Sequence, residues 1–453
     1  MLANRLFPSI VSGSSGGGWT PALLGSKVIS WISAARQTDG SQTQPVWADH
    51  SGNGRTLSNS LAARVPTLVK RGVNSSFVLD GVNNDVTGDY MISDASWSNV
   101  AAVYCLVRYR GATFTDFDCL LTSNTASPAN SIILGNTASG GTAFLNLAPA
   151  PTFRKNGTTQ AYTTAGSGPL NEYATLGFEW ASPWTQNFRF GGQPSQPTRN
   201  WPGELVEMVV LNAAPTTDER TALETYLTAL RTTTAWSSTS VAWCGTSIPT
   251  GGNSTSTGAS YPHRISAMLR VNRFDNNSQG SSRAVYTGSA SGATGYLSGT
   301  GANNTALGVA ATGSYETKCL GYKHVIIDHG INDYNTTMGT AGTGNTDRAN
   351  FAGALGYLID AIRTADAAAK ITLITPATLY ALNGAILTEM TNVRQTILDV
   401  ASAWSTNVID LTTLMGYTSG SNATRFPDGT HASSLAEGEI AEALTTALLN
   451  ITA

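Results

Sequence analysis

Charged side chains are scarce in this sequence. Asp, Glu, Lys and Arg make up 12% of its 453 residues, about half of the roughly 25% usual for soluble domains. With 26 basic and 29 acidic residues the net charge is −3. That excludes the basic footprint by which a chain holds nucleic acid, so no nucleic-acid partner is expected. Disorder is excluded too, since it requires high charge and little apolar content, whereas 41% of these residues are hydrophobic. No apolar run reaches the roughly 20 residues needed to span a bilayer. The start, MLANRLFPSIVSGSSGGGWT, has a short apolar patch without the sustained apolar core of a secretory signal, which reads as a mature or unprocessed N-terminus.

Cysteine is also sparse. Four residues, Cys105, Cys119, Cys244 and Cys319, have spacings that fit no zinc pattern and are too few for a disulfide framework. Cys105 and Cys119 could face each other on neighbouring strands, but buried free thiols are the preferred reading. No metal-binding motif and no Gly-rich phosphate loop occurs, so the expected chemistry needs no cofactor. The space left by charge is filled by Gly (46 residues), Thr, Ser and Asn. Such a neutral, hydroxyl-rich surface suits a protein working outside cells or in a particle. At this length the chain has room for two or three domains, each able to bury a core.

Three segments are expected. Residues 1–26 carry SGSSGGGW and read as a flexible lead. Residues 27–232 show short β-runs broken by turns, such as KVISWIS, VAAVYCLVRY, ATLGFEW and ELVEMVVLN. Many such runs with almost no helical period indicate an all-β jelly-roll sandwich. The segment closes with a helix over 218–231, starting at a Thr-Thr-Asp-Glu signal. A polar tract, RTTTAWSSTS, marks the boundary near 232–238.

From residue 239 to 453 the pattern changes to alternating strands and helices. VAWCG, HVIIDHG, KITLITPAT and NVIDL read as strands. GASYPHRISAMLRV, FAGALGYLIDAIRTADAAA, NVRQTILDVASAWS and LAEGEIAEALTTALLN read as helices. In the second of these helices, Leu355, Leu358, Ile359 and Ile362 give the apolar stripe. This βα alternation implies a mostly parallel sheet covered on both faces, a three-layer α/β fold of flavodoxin-like type. Ligands in such sheets bind at the carboxyl ends of strands.

Four places there carry chemistry. Gly245-Thr246-Ser247 follows the first strand, and a turn at a strand end can expose a serine hydroxyl. The longer Gly-x-Ser-x-Gly elbow is absent, because position 249 is Pro. Asn277-Ser278-Gln279-Gly280 lies before the HVIIDHG strand, Gly330-Ile331-Asn332-Asp333 ends it, and Asp428-Gly429-Thr430-His431 precedes the last helix. In this order the four resemble the sequence blocks of the SGNH or GDSL-type hydrolases. The resemblance implies Ser247 as nucleophile, His431 as its base and Asp428 as the acid orienting the imidazole. It implies the Ser247 N–H, the Gly280 N–H and the Asn332 side-chain amide as oxyanion donors. Gly280 is preferred to the nearby Gly288. The family usually has Asp where this chain has Thr246, which leaves the local electrostatics and loop stiffness open. His324 and His329 read as packed or hydrogen-bonded residues, and His50 and His263 have no partners in sequence.

VWADHSGNGRTL, FVLDGVNND and the closing GELVEMVVLNAAPTTDERTALETYLTALR of the β-rich segment are similar to concanavalin-A-like, laminin-G-type jelly-roll domains. That resemblance allows carbohydrate binding. Trp47, Asp49, Asn53 and Asp85 could be sugar or calcium contacts, but turn-shaping and core-filling roles are favoured. The combination implies a serine esterase removing small acyl groups, foremost acetyl, from a carbohydrate. A lipase-like or simple-ester esterase is an alternative. Another is an adhesion protein whose jelly roll does the binding. Together with the Gly/Ser lead, the pairing of modules resembles bacteriophage tail proteins. An extracellular or virion location and a homo-oligomer or phage particle would then follow.

One prediction concerns the departure at Thr246. Thr246→Asp should be tolerated and should change the hydrolytic rate by less than Ser247→Ala. A variant as inactive as Ser247→Ala, yet folded by circular dichroism, would contradict this.

Overall fold

The computed structural model describes residues 19–37, 45–61, 64–71, 74–79, 89–111, 113–114, 118–124, 131–136, 141–144, 150–193, 196–231, 236–250, 260–278, 283–285, 319–377, 387–418 and 424–451. The chain divides into two compact units, Met1–Thr232 and Thr233–Ala453.

The first unit is rich in antiparallel strands, arranged mainly in an eight-stranded and a seven-stranded sheet. The longest strands of the larger sheet include β1 (Trp97–Tyr109) and β2 (Gly203–Leu211), which pair antiparallel. Strand periodicity explains how β1 serves two layers, since successive side chains point to opposite faces. Val103, Cys105 and Val107 enter the core shared with the smaller sheet. Ala102, Tyr104 and Leu106 turn the other way, into a cluster with Leu223 and Leu227 of helix α1 (Thr217–Ala229). In β2 the register shifts between Leu205 and Glu207, and the faces exchange there. Leu205 faces the first core, and Met208 and Val210 continue it after the shift. One extra residue in a strand has this effect. Helix α1 starts at a capping box, with Thr216 and Glu219 satisfying each other's backbone N–H groups.

Several sequence readings meet their places here. Trp47 is buried and stacks on Phe77 at 3.9 Å between centroids. Asp49 Oδ1 accepts from the Trp31 and Ser51 N–H groups, each at 2.9 Å, and Asn53 Nδ2 donates to the Val28 carbonyl at 2.6 Å. These are core and turn roles; Asp85 lies outside the described residues. Structure begins upstream of residue 27, where a flexible lead was expected to end: Pro21–Lys27 forms 3₁₀ turns and Leu24 is buried in the α1-side cluster. The tract SGSSGGG lies outside the described residues. Cys105 and Cys119 are buried free thiols on strands of different sheets, and burial pushes both thiols up from their usual range.

The second unit is a five-stranded parallel sheet. Its strands are β3 (Ser240–Gly245), β4 (Arg273–Asn276), β5 (His324–Asp328), β6 (Lys370–Ile374) and β7 (Asn407–Ile409), in spatial order β4-β3-β5-β6-β7. Numbered within the sheet this is the 2-1-3-4-5 order of flavodoxin-like folds, with its switch point between β3 and β5. Ala242 and Cys244 of β3, with Val325 and Ile327 of β5, pack under α4 (Phe351–Ala365) and α5 (Leu387–Ala403). Trp243 points to the opposite face and meets Tyr261 of α3 (Tyr261–Leu269) edge-on at 5.6 Å. After α6 (Leu411–Met415), helix α7 (Ser434–Leu449) joins α3 on that face: Glu437 Oε2 accepts from the Tyr261 N–H at 2.5 Å. The expected stripe Leu355, Leu358, Ile359 and Ile362 is buried. Strand β4 was not expected; RFDN is an edge strand with one buried apolar residue, so it lacks a buried strand's run. Cys244 is joined to Cys319 as a disulfide across 75 residues of sequence, a pairing that spacing alone did not reveal.

The first unit contains a buried ion pair. Arg108 of β1 grips Glu204 of β2 through Nε at 2.5 Å and Nη2 at 2.8 Å, with both side chains at most 1% exposed. Removing one member strands the other charge, which costs about 3–5 kcal/mol, whereas replacing both by apolar groups is often neutral. Glu204→Ala should therefore lower the thermal midpoint of the full chain well below that of Glu204→Leu/Arg108→Met. Equal midpoints for the two variants would contradict it.

Candidate active site

The switch point is where Ser247, His431 and Asp428 meet. Strand β3 ends at Gly245, Thr246 follows, and Ser247 begins a single helical turn, α2 (Ser247–Thr250). Gly245 is required by space: a Cβ there would lie 2.4 Å from Pro249 Cγ and 2.8 Å from the Asp328 carbonyl oxygen. Across the ladder, β5 ends at Asp328, and His329-Gly330 leads into the turn carrying Asn332. Gly330 has φ +129°, and a Cβ on it would meet Val393 of α5 at 2.6 Å. The turn closes through the Asp333 N–H to the Gly330 carbonyl at 2.9 Å. Ile331 and Met390 are buried here, with Ile248 and Tyr334 packed partly buried against them. The residues flanking Ser247 and Asn332 are thereby in one apolar cluster.

The third segment of chain is the loop before α7. Asp428 Oδ1 accepts from the Thr430 N–H at 2.9 Å and the His431 N–H at 2.7 Å, and Oδ2 lies 2.7 Å from His431 Nδ1. His431 Nε2 lies 3.0 Å from Ser247 Oγ. The loop is tied to α7 by Arg425, which holds Glu439 through Nε at 2.6 Å and Nη2 at 2.7 Å. Ser433 caps the helix, its hydroxyl accepting from the Ala436 N–H at 3.4 Å. Burial works to raise the Asp428 carboxyl, but the hydrogen bonds from His431 and Thr430 outweigh it and hold the group below its usual range. An ionised carboxylate on Nδ1 selects the imidazole tautomer whose Nε2 accepts a proton. The arrangement can therefore deprotonate Ser247. Asn332 is half-buried on the turn beyond Ile331. Gly280 lies outside the described residues, while Asn277 and Ser278 before it are described; Gly288 also lies outside.

Other titratable groups surround this centre. Asp333 is buried and accepts from the Ala284 and Val285 N–H groups at 3.2 and 3.1 Å, which ties residues 284–285 to the Asn332 turn; burial raises it to about 6. Asp328 accepts from the Tyr261 hydroxyl and, at 3.4 Å, from Trp243 Nε1, and burial raises it to about 6 against those bonds. Glu437 is raised to about 8 by burial and by the Asp328 charge, against Arg264 and the Tyr261 N–H. Sequence reasoning passed over these three acids, because nothing in a linear pattern marks which face of a strand or helix a carboxylate takes. His324 lies in the β5 ladder, with Nε2 2.8 Å from Thr372 Oγ1 and its ring stacked on Trp236 at 4.8 Å. Burial lowers it to about 4 and lowers the buried His329 to about 3. His263 is not partnerless either: its Nδ1 lies 3.1 Å from Ser260 Oγ. His50 Nε2 lies 3.3 Å from Gln37 Nε2. Among the described residues no group of three His, Cys, Asp or Glu could hold a metal ion, and no helix is long and apolar enough to cross a membrane.

Glu437 makes the pH dependence testable. Its folded pKa lies above its unfolded value, so the folded state binds more protons between the two, and stability falls as pH rises through about 8. Glu437→Gln removes that loss. The variant should raise the thermal midpoint at pH 8 by more than at pH 5, read by scanning calorimetry. A difference from wild type that does not change with pH would contradict it.

Residues 238–444 match the family of GDSL-like lipases and acylhydrolases. No curated protein matches the chain. Among solved structures, a protein from Lactobacillus plantarum is similar at 18% identity, covering 47% of this chain and 97% of its own, with a TM-score of 0.38. A lipase/acylhydrolase from Enterococcus faecalis is similar at 17% identity, covering 47% and 96%, with a TM-score of 0.30. An acetylxylan esterase from Geobacillus stearothermophilus is similar at 14% identity, covering 46% and 93%, with a TM-score of 0.32. The strand order, the residues at its switch point and the family match over 238–444 lead to one statement: the C-terminal half of this chain is a GDSL/SGNH hydrolase domain.

Proposed function

We propose that this protein is a serine esterase that removes small acyl groups, foremost acetyl, from a carbohydrate through an acyl-enzyme. The observation that carries the reading is the continuous chain from Asp428 Oδ2 through His431 to Ser247 Oγ, with heavy-atom separations of 2.7 and 3.0 Å. Both lie within the reach that a base and its nucleophile require.

His431 Nε2 takes the Ser247 proton as Oγ attacks the ester carbonyl. In this reading the Ser247 N–H, the Gly280 N–H and the Asn332 side-chain amide are the donors for the oxyanion. A preorganised donor of this kind contributes about 2.7–4 kcal/mol to the transition state. His431 returns the proton to the leaving alkoxide, and a water deprotonated by the same imidazole releases the acid. Asp428 stays ionised and stabilises the imidazolium at both stages.

Two features support a small acyl group on a polar carrier. The apolar cluster next to Ser247 is small, with Ile248 and Tyr334 packed on Ile331 and Met390, which supports a small acyl group. The segment Thr336–Asn345 that follows the Asn332 turn consists of small and polar residues plus Met338, unlike an apolar lid. The hydroxyl-rich composition and the antiparallel first unit, read as a concanavalin-A-like jelly roll that carries carbohydrate, support a sugar ester in an extracellular or virion setting.

Acetate release from a panel of acetylated polysaccharides tests the proposal. Wild type should release acetate from at least one, and Ser247→Ala should release it roughly 10⁴-fold more slowly or less. Equal release by both proteins, or release only from long-chain esters, would overturn it.

A further inference from the structure

A cavity of about 20 Å³ adjoins the nucleophile turn, lined by Thr246 and Ile248 on either side of Ser247, by Ile331 before Asn332 and by Thr430 before His431. Its volume accommodates about one water molecule, provided two or more polar groups face it. Those groups are present: Thr246, Thr430, Tyr261 and Asp328 all line the cavity, and the remaining wall is mostly carbon.

Asp328 differs from the rest. It pairs with Gly245 across the β3–β5 ladder, and its backbone packs closely against that glycine, so it sits beside the point where the nucleophile turn leaves the sheet. Both of its protein donors, the Tyr261 hydroxyl and Trp243 Nε1, approach the same oxygen, Oδ2. A carboxylate has about four acceptor positions, and among the described residues no protein donor reaches Oδ1. The Thr246 side chain is the counterpart. It is 1% exposed, and its hydroxyl has no protein partner among the described residues. Thr246 is buried, Asp328 is half-buried, and both line this one cavity, so a water between them would bond the hydroxyl and the second carboxylate oxygen together.

We propose that Asp328 is a positioning residue for the nucleophile: its carboxylate holds one water in this cavity and, through it, the Thr246 hydroxyl, fixing the turn from which Ser247 Oγ is aimed at His431 Nε2. Asp328 does not touch the substrate in this account. It acts on the backbone conformation of Gly245-Thr246-Ser247, and a small displacement there lengthens the Ser247–His431 hydrogen bond. A neutral Asn at 328 keeps an oxygen for Tyr261 and Trp243 while weakening the hold on the water. A Val at 246 removes the other end of the bridge with little change in volume.

The inference rests on Ser247 being the nucleophile, so the test reads Ser247 directly. Asp328→Asn, Thr246→Val and the double variant are compared in the full chain by the rate at which a fluorophosphonate labels Ser247, measured by mass spectrometry. The same proteins are assayed for kcat and KM on p-nitrophenyl acetate. Misplacement of a reacting group by 1 Å can cost about 100-fold, so each single variant should lower the labelling rate by roughly 10- to 100-fold. kcat should fall in parallel with KM unchanged. The double variant should be no slower than the slower single, because both remove one bridge. Losses that multiply in the double variant would overturn the proposal. So would single variants that lower the thermal midpoint while labelling at the wild-type rate. A wild type that labels but turns over no ester would count against the esterase reading alone, since the labelling rates still decide the role of Asp328.

Discussion

The hydrogen bond between Ser247 Oγ and His431 Nε2 joins residues 184 positions apart in sequence, and the proposed chemistry of the second unit depends on it. Neither end is free to adjust. Ser247 is placed by a strand end whose glycine has no room for a side chain. His431 is placed by an Asp428 side chain that accepts the His431 main-chain N–H and also engages its ring. Each end is fixed by local structure, and the parallel sheet brings the two together. The flavodoxin-like order supplies that meeting point, because neighbouring connections leave β3 and β5 toward opposite faces and open a crevice at their carboxyl ends.

The electrostatics around this bond are divided by depth. Asp428, at the surface of the loop, is held ionised by three hydrogen bonds from Thr430 and His431. Asp328 and Glu437, beneath the sheet end, are pushed toward the neutral form by burial and, for Glu437, by the neighbouring Asp328 charge. The division suits ester hydrolysis. A negative charge beside the imidazole stabilises the cation that forms there. The buried histidines His324 and His329 follow the same rule with opposite sign and stay neutral.

Much of this was legible in the sequence, and for identifiable reasons. The βα alternation follows from apolar periodicity, so Leu355, Leu358, Ile359 and Ile362 marked a buried face. Asp428 and His431 could be paired because three residues within one turn fix their geometry without tertiary information. Thr216 and Glu219 announced a helix start by capping chemistry. What remained hidden depends on contacts between distant segments. Strand β4 owes its existence to pairing with β3, and its RFDN sequence carries almost no strand signal. Asp328 ends an apolar strand run, yet only the parity of β5 sends its side chain toward Tyr261. The Cys244–Cys319 pairing and the Arg108–Glu204 ion pair likewise join residues that have no local relation. In the first unit the exchange of faces within β2 breaks strict alternation, so period-two reading misplaces residues beyond Leu205.

The central claim is that Ser247 carries the acyl group between the two halves of the reaction, with His431 moving the proton in each. The most direct measurement is rapid acid quench of the protein during turnover of p-nitrophenyl acetate, followed by peptide mass analysis. The account predicts one acetyl group on the peptide containing Ser247, formed in step with a burst of p-nitrophenol and absent in Ser247→Ala. Turnover at the wild-type rate by Ser247→Ala, or an acetyl group located on another residue that kinetically precedes product, would contradict it.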